Sequence, residues 1–327
     1  MPNVYMTDYT YAHLDYETAI LAPLGYTVIG RQCKTAADVV AQCGDAVALL
    51  NQYAPLTREV FANLPNLKMI VRYGVGYDSV DVQAATDHGV MVVNVPDYGV
   101  QEVADHTLAL LLALVRKVPA VVNDVQAGNW NDNTFHPIIG LTGKRVGLLG
   151  FGNIARQVAK RVQAFDMEVM AYDPFVSADV FAQHHAVGAD LATVLAQSDI
   201  VCVHLPLNAD TKHTICAATL AQMKPTAYLI NTARGGVVHS ADLAQALRNG
   251  QIAGAALDVL DVEPMPADHP LRGVPNCLIT CHLAWYSEAS LVRLQQYAAL
   301  EVARMIRGES PKSVVNRAAL QARGVLP

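Results

Sequence analysis

The sequence predicts an α/β protein of two doubly wound parallel-sheet domains with a cleft between them. Three observations carry this. Short apolar segments alternate with helical patterns through both halves of the chain, as strands joined by crossover helices do. Residues 145–173 read as one strand–turn–helix–strand unit, with glycines at the turn and an acid at the far end. The length of 327 residues suits two domains of ~100–200 residues each.

Composition narrows the function classes. Hydrophobic residues make up 52% and charged residues only 16%, enough for sizeable cores and too little charge for a disordered chain. The net charge is −6 and no Lys/Arg block stands out, which argues against a nucleic-acid or anionic-membrane surface. The longest clean apolar run, Leu108–Val115, is too short to span a bilayer. The start, Met-Pro-Asn-Val-Tyr-Met, has no basic segment followed by an apolar one, so no signal peptide is expected. The cysteines at 33, 43, 202, 216, 277 and 281 form no C-x-x-C pair and read as reduced thiols, placing the protein in the cytoplasm. Cys277 and Cys281 with His282 lie in an apolar strand pattern, so no metal site is expected.

Along the first hundred residues the strand candidates are Val4–Met6, Thr27–Gly30, Ala46–Leu50, Leu67–Val71 and Val90–Val95. Helical patterns at Tyr16–Leu24, Ala36–Gln42, Arg58–Leu64 and Asp81–His88 separate them. No glycine fingerprint follows the first strand. Arg72-Tyr-Gly-Val-Gly-Tyr-Asp78 follows the fourth, where an open α/β sheet binds its ligands. Gly74 and Gly76 there suit a loop that offers backbone N–H groups to a carboxylate, with Arg72 supplying charge. Pro96-Asp-Tyr-Gly99 marks a break, and Tyr98–Gly99 is the candidate hinge. Glu102–Val118 then reads as a long apolar helix, and residues 123–143, rich in Asn, Gly and Asp, as loop.

The next stretch organises the second half. Val146–Leu149 is an apolar strand, Gly150-Phe-Gly152-Asn-Ile-Ala155 the turn, and a helical segment runs on through Phe165. Gly150 permits the tight turn, Gly152 a close approach of backbone to a pyrophosphate, and the small Ala155 close helix–strand packing. The helix N-terminus offers unpaired N–H groups to phosphates. Strand Glu168–Tyr172 ends on Asp173, which suits both hydroxyls of an adenosine ribose and would repel a 2′-phosphate. A Rossmann-like domain preferring NAD follows.

Further strands are expected at Ile200–Leu205, Tyr228–Asn231, Ala253–Leu257 and Cys277–Thr280. Each ends in polar residues: His204-Leu-Pro206, Asn231-Thr-Ala-Arg-Gly235, Asp258 and His282. A last helix, ending near Met305, is expected to return to the first domain, followed by a polar tail, Pro311–Pro327. The expected domains are therefore 1–98 with about 300–327, and 99–299.

Arg234, Glu263 and His282 lie at or just after strand ends of this second sheet. Hydride transfer to a 2-keto acid needs a fixed cation, a proton donor near neutral pH and a carboxylate beside that donor. Arg, His and Glu supply these in turn. With eleven histidines in the chain, the trio is one choice among many on residue type alone.

Seven stretches, in order, carry a resemblance: RYGVGYD from Arg72, EVADHTLALLL from Glu102, VGLLGFGNIA from Val146, HLPL from His204, NTARGG from Asn231, ALDVLDVEP from Ala256 and HLAWYSE from His282. Together they resemble the D-isomer-specific 2-hydroxyacid dehydrogenases over essentially the whole chain. The branch they most resemble holds the C-terminal-binding-protein dehydrogenases and their bacterial relatives. The resemblance implies interconversion of a 2-keto and a D-2-hydroxy acid with NAD, and a homodimer built through the cofactor domains. It implies Arg234, Glu263 and His282 as catalytic residues, and Tyr73, Gly74, Val75 and Gly76 as the loop holding the substrate carboxylate. Arg72 and Trp285 would line the substrate pocket. Thr107, Asn153, Ile154, Ala155, Asp173, Leu205, Pro206, Thr211, Thr232, Ala233 and Asp258 would contact the cofactor, beside Gly150 and Gly152. Cys281 stands where the family usually has proline, which removes a fixed φ just before His282. An NADH-sensing corepressor-like binding protein, or a phosphoglycerate- or formate-type dehydrogenase of the same fold, are the other functions this resemblance leaves open.

Overall fold

A computed structural model describes residues 1–326. Among these the strands form two parallel sheets. The first contains β1 (Asn3–Met6), β2 (Thr27–Gly30), β3 (Ala46–Asn51), β4 (Met69–Arg72) and β5 (Met91–Val93), in the order β2-β1-β3-β4-β5. The second contains β6 (Arg145–Leu149), β7 (Glu168–Tyr172), β8 (Ala186–Gly188), β9 (Ile200–Val203), β10 (Tyr228–Asn231), β11 (Gly254–Leu257) and β12 (Cys277–Ile279). Its order is β12-β11-β10-β9-β6-β7-β8, so the chain reverses direction across the sheet between β6 and β9. Two compact units result: residues 1–99 with 287–326, and residues 100–286.

Strand composition explains both sheets. β3, β9, β10 and β11 are buried on nearly every residue, as expected where helices cover both faces. In the first unit Leu49, Ile70 and Val92 belong to one apolar core with Val39, Val60 and Phe61 from the covering helices. In the second, one core places Val146, Leu148, Ile200 and Ile230 against Leu111, Val158 and Val162. On the opposite face, Leu149, Val201 and Leu229 pack with Leu195, Leu243 and Leu247.

Four local features differ from expectation. The long helix is Val100–Val115 and ends before residue 118. Lys117 adopts a left-handed φ of 56°, and Pro119, which has no N–H to give, begins a new helix, Val118–Gln126. Much of the expected 123–143 loop is nonetheless irregular, with a short 3-10 turn at Asp132–Phe135. An unexpected seventh strand, β8, has only Ala186 buried, so it carries no hydrophobic period. The tail is also more than polar surface. Asn316 is buried, receives a hydrogen bond from the Val92 N–H, and donates to Thr86 and to the Val90 carbonyl. Pro327, the last residue of that expected tail, lies outside the described residues.

Candidate active site

The turn after β6 is built by backbone constraints. Gly150 has φ 87°, a conformation costing other L residues about 1–2 kcal/mol. A Cβ there would lie 2.8 Å from the His204 carbonyl oxygen. Only glycine lets β6 and the end of β9 come this close. The Phe151 N–H donates to Asp173 Oδ2 at 2.8 Å, and the Phe175 N–H to Oδ1 at 3.0 Å, so Asp173 ties the two strand ends together. Gly152 caps the helix Asn153–Gln163, and no side chain caps its first turn. A Cβ on Gly152 would meet open space. Ala155 is fully buried against the sheet. The turn therefore keeps an open helix end with room above it, which fits a dinucleotide pyrophosphate.

The residues after β9 to β12 are shaped from within. Asn231, fully buried, accepts from the Ala233 N–H and donates to the Arg234 carbonyl, fixing the bend that presents Arg234. A Cβ on Gly235 would fall 1.8 Å from the Leu260 carbonyl carbon. This glycine is what allows the 260–263 loop to press against residues 234–235. The Leu260 N–H donates to Glu263 Oε1 at 2.8 Å, and Glu263 Oε2 meets His282 Nδ1 at 2.6 Å. Burial works against the charge of Glu263. The His282 hydrogen bond and charge, the Leu260 N–H and the Arg234 guanidinium outweigh it, holding the carboxyl below the usual glutamate range.

His282 is reached by an unusual backbone. Its φ is 56°, a strained value of order 1 kcal/mol for a non-glycine residue. Three contacts hold it there: its N–H to the Asp258 carbonyl at 2.7 Å, Trp285 Nε1 to its own carbonyl at 3.1 Å, and the Glu263 contact. With Nδ1 committed to Glu263, Nε2 is the ring nitrogen left without a partner among the described residues.

Thus Arg234, Glu263 and His282 come together within one unit. Thr107 and Thr232 also meet, Oγ1 to Oγ1 at 2.8 Å, both buried. Leu205 is buried, Pro206 is exposed, and the Thr211 hydroxyl donates to the Pro206 carbonyl. Asp258 is 1% exposed; its carboxylate accepts from the Thr280 hydroxyl and the Leu283 and Ala284 N–H groups. It braces the loop that carries His282. Trp285 does the same through its indole N–H, and its ring meets Tyr286 edge-on at 5.5 Å. Sequence reasoning missed Thr280, and His106 beside it at 3.2 Å. It also missed Asp261, which ties His269 and Ser240 next to Glu263. None of these follows a local pattern.

In the other unit, the loop after β4 is latched. Gly74 has φ 135°, the Val95 N–H donates to its carbonyl at 3.0 Å, and Asn94 Nδ2 donates to the Val75 carbonyl at 2.6 Å. Among the described residues the Val75 and Gly76 N–H groups donate to no protein acceptor. Arg72 Nη1 donates to the Tyr73 carbonyl.

Comparison with known proteins gives the family and the fold. The family model described as "D-isomer specific 2-hydroxyacid dehydrogenase, NAD binding domain" matches residues 108–284. A hydroxypyruvate reductase of Blautia hydrogenotrophica is 34% identical over 285 residues, 86% of this chain and 88% of that protein. A glyoxylate reductase of Thermofilum pendens is 39% identical over 270 residues, 81% of this chain and 79% of that protein. The crystal structure of D-lactate dehydrogenase from Aquifex aeolicus, complexed with NAD and lactic acid, superposes with a TM-score of 0.85 at 27% identity. That match covers 94% of this chain and 96% of the other. With two parallel-sheet α/β units, a glycine turn open to NAD and an Arg/Glu/His cluster, the chain belongs to the D-isomer specific 2-hydroxyacid dehydrogenases and is an NAD-dependent oxidoreductase.

Proposed function

We propose that the enzyme reduces a small 2-keto acid to the D-2-hydroxy acid, with His282 as proton donor, Glu263 as its partner and Arg234 as the substrate-orienting cation. The observation that carries this is the 2.6 Å His282–Glu263 contact with Arg234 in electrostatic range. The turn Gly150–Ala155 and Asp173 hold the cofactor, and Thr107, Leu205, Pro206, Thr211, Thr232, Ala233 and Asp258 shape its surroundings. When bound, the nicotinamide supplies a hydride to C2. Arg234 and the Val75 and Gly76 amides orient the substrate carboxylate, the Tyr73 and Gly74 amides being committed to the Asn51 and Arg72 carbonyls. Protonated His282 gives its Nε2 proton to the keto oxygen and is left neutral, while Glu263 stabilises the charged form before transfer. Arg72 and Trp285 bound the substrate.

The similar enzymes include a hydroxypyruvate reductase and a glyoxylate reductase, which makes small 2-keto acids the first to test. Loss of NADH absorbance is followed with glyoxylate, pyruvate, hydroxypyruvate, 2-ketoisocaproate and phenylpyruvate, then with NADPH. Oxidation of NADH by a subset of small acids supports the reading. NADH binding without any turnover turns it toward a NAD-sensing binding protein.

A homodimer and a reducing compartment complete the proposal. The helix Val118–Gln126 exposes Val118, Val122 and Val125, and Trp130 beyond it is 90% exposed. These side chains line a groove of about 520 Å³ that a second copy would cover. Sedimentation at micromolar protein distinguishes dimer from monomer. All six cysteines are free thiols, which suits a reducing compartment.

A further inference from the structure

A pair of stacked tyrosines in the first unit holds one phenol with a partner and one without. Tyr73 is 2% exposed, and its hydroxyl donates to Glu17 Oε1 at 2.7 Å. Glu17 is fully buried and is also held by Gln295 Nε2 at 3.2 Å. The Tyr11 ring lies against Tyr73, 5.6 Å between centroids and 30° between planes. Tyr11 is 8% exposed, yet its hydroxyl has no hydrogen-bond partner among the described residues.

Such a group is unusual. The large majority of buried side-chain polar atoms are paired. Phenylalanine would fill the same space without burying an unsatisfied oxygen. The position relates the feature to substrate, because Tyr73 begins the loop whose Val75 and Gly76 amides have no acceptor among the described residues. Arg72, Tyr53 and Tyr98 lie within electrostatic range of the Tyr11 hydroxyl. Burial pushes the phenol well above its ordinary pKa, so it keeps its proton and can donate. A substrate phosphate would call for a cluster of cations, and Arg72 is a cation in range of the phenol. A neutral hydroxyl needs only one donor–acceptor partner, which a phenol is.

We infer that Tyr11 is a specificity-determining residue whose phenol hydrogen-bonds a side-chain hydroxyl of the 2-keto acid held by the 73–76 loop. This rests on the proposed reduction of 2-keto acids. It makes 3-hydroxylated acids preferred over their deoxy analogues, because a site built to pair with a hydroxyl discriminates against the substrate that lacks it.

The test is kcat/KM for hydroxypyruvate and for pyruvate, with NADH, in the wild type and in Tyr11→Phe. Thermal midpoints are measured on both proteins without ligand. The wild type should prefer hydroxypyruvate. The variant should lose roughly tenfold on hydroxypyruvate, about one hydrogen bond's worth, and stay within about twofold on pyruvate. Its midpoint should be unchanged or higher, since an unsatisfied buried hydroxyl has gone. An unchanged substrate ratio, or equal loss on both acids, overturns the role of Tyr11 while the dehydrogenase reading stands. A wild type that reduces neither acid nor any other 2-keto acid overturns that reading and the role of Tyr11 with it.

Discussion

The two parallel sheets treat their strand ends in opposite ways. In the first, Asp8 follows β1 and fills the neighbouring loop with its own carboxylate. It accepts from the backbone N–H groups of Gln52 at 3.3 Å, Tyr53 at 2.7 Å and Ala54 at 3.1 Å. In the second, the turn after β6 gives one N–H, that of Phe151, to Asp173, and leaves the start of the following helix open. Gly150 pulls the backbone in, Gly152 leaves space, and the helix that follows has no side-chain cap. One architecture thus yields an anion site closed by its own side chain and another left for a ligand. What decides is a carboxylate two residues beyond a strand against a glycine one residue beyond a strand.

His282→Ala sharpens this contrast most. Removing a general acid should lower turnover about 10²–10⁴-fold. NADH binding, read by fluorescence, should stay nearly intact because the open turn is untouched; parallel loss of both would make His282 a structural residue. Gly150→Val attacks the open end directly. A φ of 87° and a Cβ 2.8 Å from the His204 carbonyl leave no room for a branched side chain. NADH affinity should fall at least roughly tenfold, from the φ penalty alone. Asp8→Ala is the mirror experiment. It leaves three inward-facing amides without their acceptor and should cost about 1–3 kcal/mol of stability in urea. NADH affinity should not change, and a loss of it would break the comparison.

The smallest effect is on pH. The Glu263 carboxyl is held below its ordinary value, so its contribution to stability is present above that ordinary value. It fades as the pH falls through the lowered one. For catalysis, Glu263→Gln removes the charge that favours the imidazolium. The alkaline limit of 2-keto acid reduction should then move to lower pH. A superimposable kcat/KM profile for the variant would remove Glu263 from this role.

Much of the scaffold was legible because it is written locally. β2, β7 and β10 are continuous apolar runs closed by polar or glycine residues, and the boundaries read from them match the structure. The turn after β6 was legible because a tight backbone demands glycine. What could not be read is what closes over distance. Thr280 and Asp258 are twenty-two positions apart, and Val92 and Asn316 are 224 apart. No periodicity announces such pairs. Trp285 is instructive: its side chain suggested a pocket wall, and its N–H proves to brace the carbonyl of His282. Tyr11 carried no signal at all, since a tyrosine without a partner looks like any other until its surroundings are known.

The chain crosses from the first unit at Gly99 and returns only at Ser287, so the second unit is an insertion within the first. This sets an order of events during synthesis. Residues 100–286 are contiguous and have all their parts before the ribosome reaches the last helix. The first sheet, made before that unit, waits for Gln295 to meet the buried Glu17 and for Asn316 to meet Thr86 and Val92. At ~5–20 residues per second, that wait is roughly 10–40 s. The first sheet is therefore finished after the unit inserted within it, and its uncovered surface stays exposed for longer.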